Sequence, residues 1–234
     1  MNHPGVWITT IMASSILMIT MGTRQSMGLY VGPLNTDTGL GIVSISLAMA
    51  IGQFVWGAIQ PIAGAFADKF GPRPVLLSGL LILVLGSALT PFVSSQLGLI
   101  LTLGLLTAIG SGACSFSVLL GAVAQRMPAT SRGTASGIIN AGSSFGQFVF
   151  APIIGKLIQW VGWMSTMWAM AAVALLAIPL LNRLTNDTHA PAAAPTPEGG
   201  LKKAVADALR NPSYLLLHLG FFTCGFHIAF WVTH

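Results

Sequence analysis

Arg24 is the residue with the most to say about chemistry, because it stands deep within an apolar stretch, Trp7–Leu34. A guanidinium at the centre of a bilayer costs about 2.5–3.5 kcal/mol on insertion scales, so such residues usually face a bundle interior or an aqueous passage. There it is suited to a carboxylate, which it can grip with two parallel hydrogen bonds. The competing reading is an arginine near the outer interface whose head snorkels to water. Other polar residues sit at spacings that place them on shared helix faces. Gln53 and Gln60 are seven apart, Asn140, Ser143 and Gln147 follow one another at three and four, and Ser111 and Ser115 are four apart. Each set can line a substrate path, and each can equally serve as interhelical hydrogen bonding worth about 0.6 kcal/mol. Tyr30 suits the outer end of such a path or an interfacial anchor, and His227 is a candidate for proton coupling or a structural hydrogen bond.

The second constellation is GAFADKFGPRP, Gly64 to Pro74. Glycine at 64 lets a neighbouring helix come close, glycine at 71 permits a tight turn, and Asp68 can accept from helix N-terminal N–H groups or pair with an arginine. Gly64, Asp68, Lys69, Gly71 and Arg73 resemble the signature of the loop between the second and third helices of the major facilitator superfamily, with Pro74 at the optional last basic position. The resemblance implies that these five residues form a conformational-switch loop bracing two halves of a transporter. TRQSMGLYVGPL, Thr23–Leu34, is similar to first helices of the monocarboxylate transporter and oxalate–formate antiporter branch. Two features depart from other branches. APIIGK at Ala151–Lys156 only partly resembles the drug-antiporter motif, and Leu106 stands where many facilitators carry an arginine before Gly110 and Gly112.

The elements that must position these residues follow from composition. Of the 234 residues, 54% are hydrophobic and 6% charged, whereas soluble domains carry about 25% charged residues. Apolar stretches long enough to cross a bilayer lie at Trp7–Leu34, Ile42–Ala67, Val75–Val93, Leu97–Gln125, Thr134–Ile158 and Met164–Leu184, and a seventh begins near Tyr214. Gly133, Gly137, Gly142 and Gly146 form two small-residue pairs suited to close packing in lipid. Basic residues collect in alternate connections: Lys69 and Arg73; Arg126 and Arg132; Arg183, Lys202, Lys203 and Arg210. That pattern predicts a multi-pass protein of the cell (inner or plasma) membrane with a cytoplasmic N-terminus. Lys156 is the exception, at the outer end of the fifth stretch.

The expected fold is an all-α membrane protein: a six-helix transmembrane bundle at 1–184, half of a twelve-helix facilitator, then a cytoplasmic linker at 185–211, then a truncated seventh helix at 212–234. In the linker, Leu201, Val205, Ala208 and Leu209 can share a face of a short amphipathic helix. A weak internal match lays Gly22 and Arg24 over Gly225 and His227, as a parallel repeat of two halves would.

The expected function is alternating-access transport of a small organic anion, a mono- or dicarboxylate, coupled to a proton or an exchanged anion. The expected partners are that anion, the bilayer and the missing C-terminal half, and the chain is not expected to transport alone. The net charge of +5 is explained by topology, not by nucleic acid. No cofactor, metal site, disulfide or enzymatic centre is expected; Cys114 and Cys224 lie in apolar runs. Two alternatives remain. A drug-efflux antiporter predicts an acid within the spans, yet Asp37, Asp68, Asp187, Glu198 and Asp207 fall in connections or at their edges. A non-transporting receptor or structural protein predicts a complete seventh helix and no facilitator loop.

Overall fold

The computed structural model describes residues 4–124, 127–186 and 206–233. The chain divides into two compact units, Met1–Pro191 and Ala192–His234. Most of the predicted linker, with Lys202, Lys203, Leu201 and Val205, lies outside the described residues, as do Arg126, Asp187, Glu198 and His234.

The first unit is a helical bundle. Helix α1 (Pro4–Gln25) gives way to a 3-10 turn at Met27–Tyr30 and then to α2 (Val31–Thr38). The sequence predicts one uninterrupted stretch here. The break has a local cause: Pro33 has no N–H to bond back to Leu29, and Gly28 stiffens the turn little. Ser26 Oγ donates to the Gly22 carbonyl at 2.8 Å as α1 ends.

Helix α3 (Ile42–Phe70) and α4 (Pro72–Leu89) are joined by one residue, Gly71, with φ 87° and ψ 159°. A side chain is poorly tolerated at that φ, and Pro72 at the first position of α4 needs no hydrogen-bond acceptor. The fourth pass is compound: α5 (Gln96–Leu99), a π-helical stretch at Ile100–Leu106, α6 (Thr107–Ala113) and α7 (Phe116–Ala124). Helix α8 (Ala129–Asn186) has two arms, 129–161 and 163–186, that meet at Gly162 with φ 82° and ψ 165°. A single residue thus does the work of the expected connection between the fifth and sixth stretches.

Four helical segments among the described residues are long and apolar enough to cross a membrane: Ile42–Phe70, Pro72–Phe92, Gln96–Ala124 and Thr130–Thr185. The last comprises both arms of α8. The first pass runs from Pro4 through the 3-10 turn to Thr38, so Arg24 lies about 21 Å short of its end at 1.5 Å per residue. Large apolar side chains lie bare on the outside of this unit, Phe54, Phe148 and Trp160 among them. That is costly in water and natural against lipid.

Backbones approach through glycine where helices cross. Gly142 lies on Ser14, Gly146 on Met18, and Gly22 under the Phe150 ring. The rising numbers on both sides mean that α1 and the first arm of α8 run parallel. Ser14 Oγ ties the same seam by donating to the Ile138 carbonyl at 3.0 Å. Gly79, Gly86 and Gly110 similarly bring α4 against α6, antiparallel. The α4–α6 crossing is so close that a Cβ on Gly110 would land on the Leu83 backbone.

The expectation for Gly133 and Gly137 is not met. A Cβ at either would meet nothing within 4 Å, and the same holds for Gly64. Only one of the two small-residue pairs on the fifth stretch is therefore a packing seam.

The two ends of the bundle are distinguished by their ties. At one end, Trp163 Nε1 donates to Asp37 Oδ2 at 2.9 Å, and Trp168 Nε1 donates to the Ala88 carbonyl at 3.2 Å. At the other, Arg73 Nη2 reaches Asn182 Oδ1 at 3.5 Å. The turns carrying Lys69 and Arg73 thus share an end with the close of the sixth stretch, opposite Asp37. Lys156 is exposed, with its ammonium 5.9 Å from the centroid of the Trp160 ring.

In the second unit, residues 206–210 are helical and α9 (Pro212–Thr233) follows. Asn211 caps it, its side chain accepting from the Ser213 N–H at 3.0 Å. Leu216, Phe221, Phe222 and Phe226 are exposed along it.

Candidate functional site: a guanidinium between two helices

Arg24 sits in the last turn of α1 and points to α3. Its Nη2 donates to Gln53 Oε1 at 2.5 Å and, more weakly, to the Gly52 carbonyl at 3.4 Å. Its guanidinium carbon lies 4.8 Å from the centroid of the Trp56 ring. Gln53 and Trp56 are one turn apart on α3, so a single helix face supplies the acceptor and the aromatic platform. Gln53 is about 16 Å along α3 from Ile42 at 1.5 Å per residue, near half the hydrocarbon thickness of about 30 Å. The arginine is therefore held at depth by α3.

What surrounds this guanidinium is unusual in two respects. Its described partners are all neutral: an amide, a carbonyl and an indole. Second, buried polar atoms without a hydrogen-bond partner occur on residues close to it in the chain and on the indole beneath it. Of the four among the described residues, three are Thr23 Oγ1, Tyr30 OH and Trp56 Nε1; the fourth is Ser87 Oγ. Thr23 precedes Arg24, Tyr30 lies in the turn after it, and Trp56 carries the ring beneath it. Each unpartnered buried group costs about 1–3 kcal/mol. Trp56 offers a donor only, and the two hydroxyls can donate. A buried cation whose described partners are all neutral is an arrangement that an anion would complete.

The remaining predicted residues are distributed as follows. Tyr30 is buried to 1% exposure. Gln60 lies two turns beyond Gln53 on α3, half-buried and without a hydrogen bond to a described residue. Ser143 and Gln147 are half-buried on the first arm of α8, next to the glycines that contact α1, while Asn140 is exposed. Ser111 turns inward to the Thr107 carbonyl at 2.8 Å, and Ser115 meets Ser117 at 3.0 Å. His227 is exposed on α9, in the second unit. Trp56 and Thr23 are the residues that sequence reasoning passes over; the available signal for Trp56 was its position three residues after Gln53, on the same face.

In the loop motif, Gly71 makes the tight turn as expected. Lys69 lies 5.1 Å from the centroid of the Phe70 ring. Asp68 is exposed and neither accepts from a helix N-terminus nor pairs with an arginine among the described residues. With proline at both the first and third positions of α4, Pro72 and Pro74, its first turn offers only the Arg73 N–H to a capping side chain.

The Major Facilitator Superfamily profile matches residues 9–234. The chain belongs to the Major Facilitator Superfamily. It is an all-α, multi-pass membrane protein of that family, and its relatives fall in the branch suggested by the first helix. It is 26% identical over 228 residues to the oxalate:formate antiporter of Oxalobacter formigenes, covering 94% of this chain and 52% of that one. It is 28% identical over 170 residues to monocarboxylate transporter 13 of Bos taurus, covering 72% and 39%. It is 30% identical over 177 residues to a fujikurins efflux protein of Gibberella fujikuroi, covering 75% and 37%. The chain thus spans about half or less of the length of these facilitator relatives.

Proposed function

We propose that this chain supplies the N-terminal half of a secondary transporter that carries a small organic anion, a mono- or dicarboxylate, by alternating access. The observation that carries the reading is Arg24: a guanidinium within the bundle, held by a neutral amide over an indole, with no carboxylate among its described partners. A carboxylate at Arg24 gains charge-assisted hydrogen bonds, and the low-dielectric surroundings strengthen them. The names of two relatives, an oxalate:formate antiporter and a monocarboxylate transporter, support the same substrate class.

In this proposal Arg24 binds the substrate's negative charge. Gln53, Tyr30 and Gln60 line its passage on one side, and Asn140, Ser143 and Gln147 on the other. His227, from the start of the second half, is the candidate for coupling to a proton, with an exchanged anion as the other coupling partner. Residues 1–184 form the first bundle, 185–211 the cytoplasmic linker and 212–234 the start of the second bundle. Gly64, Asp68, Lys69, Gly71 and Arg73 form the switch loop that braces the halves. The protein sits in the cell membrane with its N-terminus in the cytoplasm, because the Lys69–Arg73 turn and the close of the sixth stretch share one end. Efflux of a hydrophobic cation is disfavoured, since the described acids Asp37, Asp68 and Asp207 are exposed at helix ends.

The test is uptake of radiolabelled mono- and dicarboxylates by the full-length protein in liposomes. Uptake is expected in the native protein, and Arg24→Gln is expected to lower it at least about tenfold, the worth of one charge-assisted hydrogen bond. Unchanged uptake in Arg24→Gln would remove Arg24 from the mechanism.

A further inference from the structure

Gln53 does more than line a path. Its side chain presents the carbonyl oxygen, not the amide nitrogen, to Arg24 Nη2 at 2.5 Å. Nη2 can donate only toward acceptors, so the contact fixes which way the amide faces. An amide oxygen is the neutral counterpart of a carboxylate oxygen: the same sp2 geometry, with a fraction of the charge. The bond joins α1 to α3, and the other acceptor on that guanidinium among the described residues, the Gly52 carbonyl, is long at 3.4 Å.

We propose that Gln53 is a displaceable placeholder, its Oε1 occupying the acceptor position on Arg24 that the substrate's carboxylate takes. This rests on the anion reading of Arg24. The exchange favours the substrate because a carboxylate adds the attraction of a full opposite charge to the charge-assisted bond that Gln53 makes, and can accept from two guanidinium nitrogens at once. Trp56 stays under the guanidinium through the exchange and keeps it from swinging toward the interface. The freed Gln53 side chain turns away, leaving the guanidinium, which has donors only, to a fully deprotonated acid, which has acceptors only. The neutrality of position 53 is what leaves the arginine's charge for the substrate. Binding trades an interhelix bond for a ligand bond, so the anion loosens α1 from α3 as it enters.

The test is calorimetric binding of a series of acids, with formate, acetate, oxalate and malonate as probes, to the full-length protein in detergent. Gln53→Leu removes the competitor and is expected to bind the acids at least about tenfold more tightly, the net worth of one hydrogen bond to a charged group. Gln53→Glu installs a permanent rival carboxylate and is expected to bind at least about tenfold more weakly while melting no lower than the native protein. Equal or weaker binding by Gln53→Leu overturns the placeholder. Should Gln53→Leu not fold, undiminished binding by a folded Gln53→Glu overturns it instead. Arg24→Gln separates the two levels. Loss of binding in Arg24→Gln without tightening in Gln53→Leu removes the placeholder alone. Native binding in Arg24→Gln, or no binding of any probe by the native protein, removes the anion reading and the placeholder together.

Discussion

At the scale of single residues, a cation is kept within an apolar bundle with no carboxylate among its described partners. Trp56 gives it a face, Gln53 gives it an acceptor, and the rest of its hydrogen-bonding capacity is left for something else. The indole should matter in two separable ways. Trp56→Phe keeps a ring under the guanidinium and removes the spare N–H, whereas Trp56→Leu removes both. We therefore expect carboxylate affinity to fall in the order native, Phe, Leu, with Trp56→Leu weaker by about tenfold or less, since a cation–π contact is worth about 0.5–2 kcal/mol. Equal affinities across the three would remove Trp56 from the site. The sequence made Arg24 and Gln53 readable, one as a charge out of place and the other as a polar residue in a periodic set. It could not pair them, because the contact spans two helices. The same holds for Asp37 and Trp163, whose hydrogen bond joins residues 126 apart. Trp163→Phe should lower the melting temperature of the full-length protein slightly, by the equivalent of about 1 kcal/mol, as expected for one hydrogen bond at a partly exposed site.

At the scale of elements, the glycines separate into seams and bystanders. Apolar runs fix where helices lie, but not which of their small residues face a neighbour. Gly142 and Gly146 meet α1, whereas Gly133 and Gly137, on the same arm, face open space. Spacing alone is identical for the two pairs, so only packing distinguishes them. Alanine at Gly146 or Gly110 is expected to destabilise the full-length protein by about 1–3 kcal/mol, because the added Cβ meets backbone that cannot easily move. Alanine at Gly137 is expected to be neutral, or stabilising by up to about 1 kcal/mol through helix propensity. Thermal unfolding in detergent reads both, and a large loss at Gly137 would show that the first arm of α8 is packed differently. Interruptions follow the same logic. The break after Arg24 and the one-residue turn at Gly162 each hang on a proline or glycine that is visible in sequence, yet the length of the interruption depends on the helices that meet there.

At the scale of the whole molecule, alternating apolar and basic segments were legible from composition, and the family follows from the loop motif and the matched profile. The sidedness can be tested apart from transport. In a background lacking Cys114 and Cys224, a membrane-impermeant maleimide added to intact cells should label Thr36→Cys and leave Phe70→Cys untouched. Labelling of both from the same face would contradict the multi-pass arrangement. Substrate was the least legible property, because it depends on which donors converge after the chain folds, and the chain spans about half the length of the oxalate:formate antiporter it matches. The most direct measurement is a structure of the full-length protein with a bound mono- or dicarboxylate. The account predicts carboxylate oxygens about 2.7–2.9 Å from the Arg24 guanidinium nitrogens, with Gln53 turned away. A carboxylate bound elsewhere, with the Arg24–Gln53 bond intact, would contradict it.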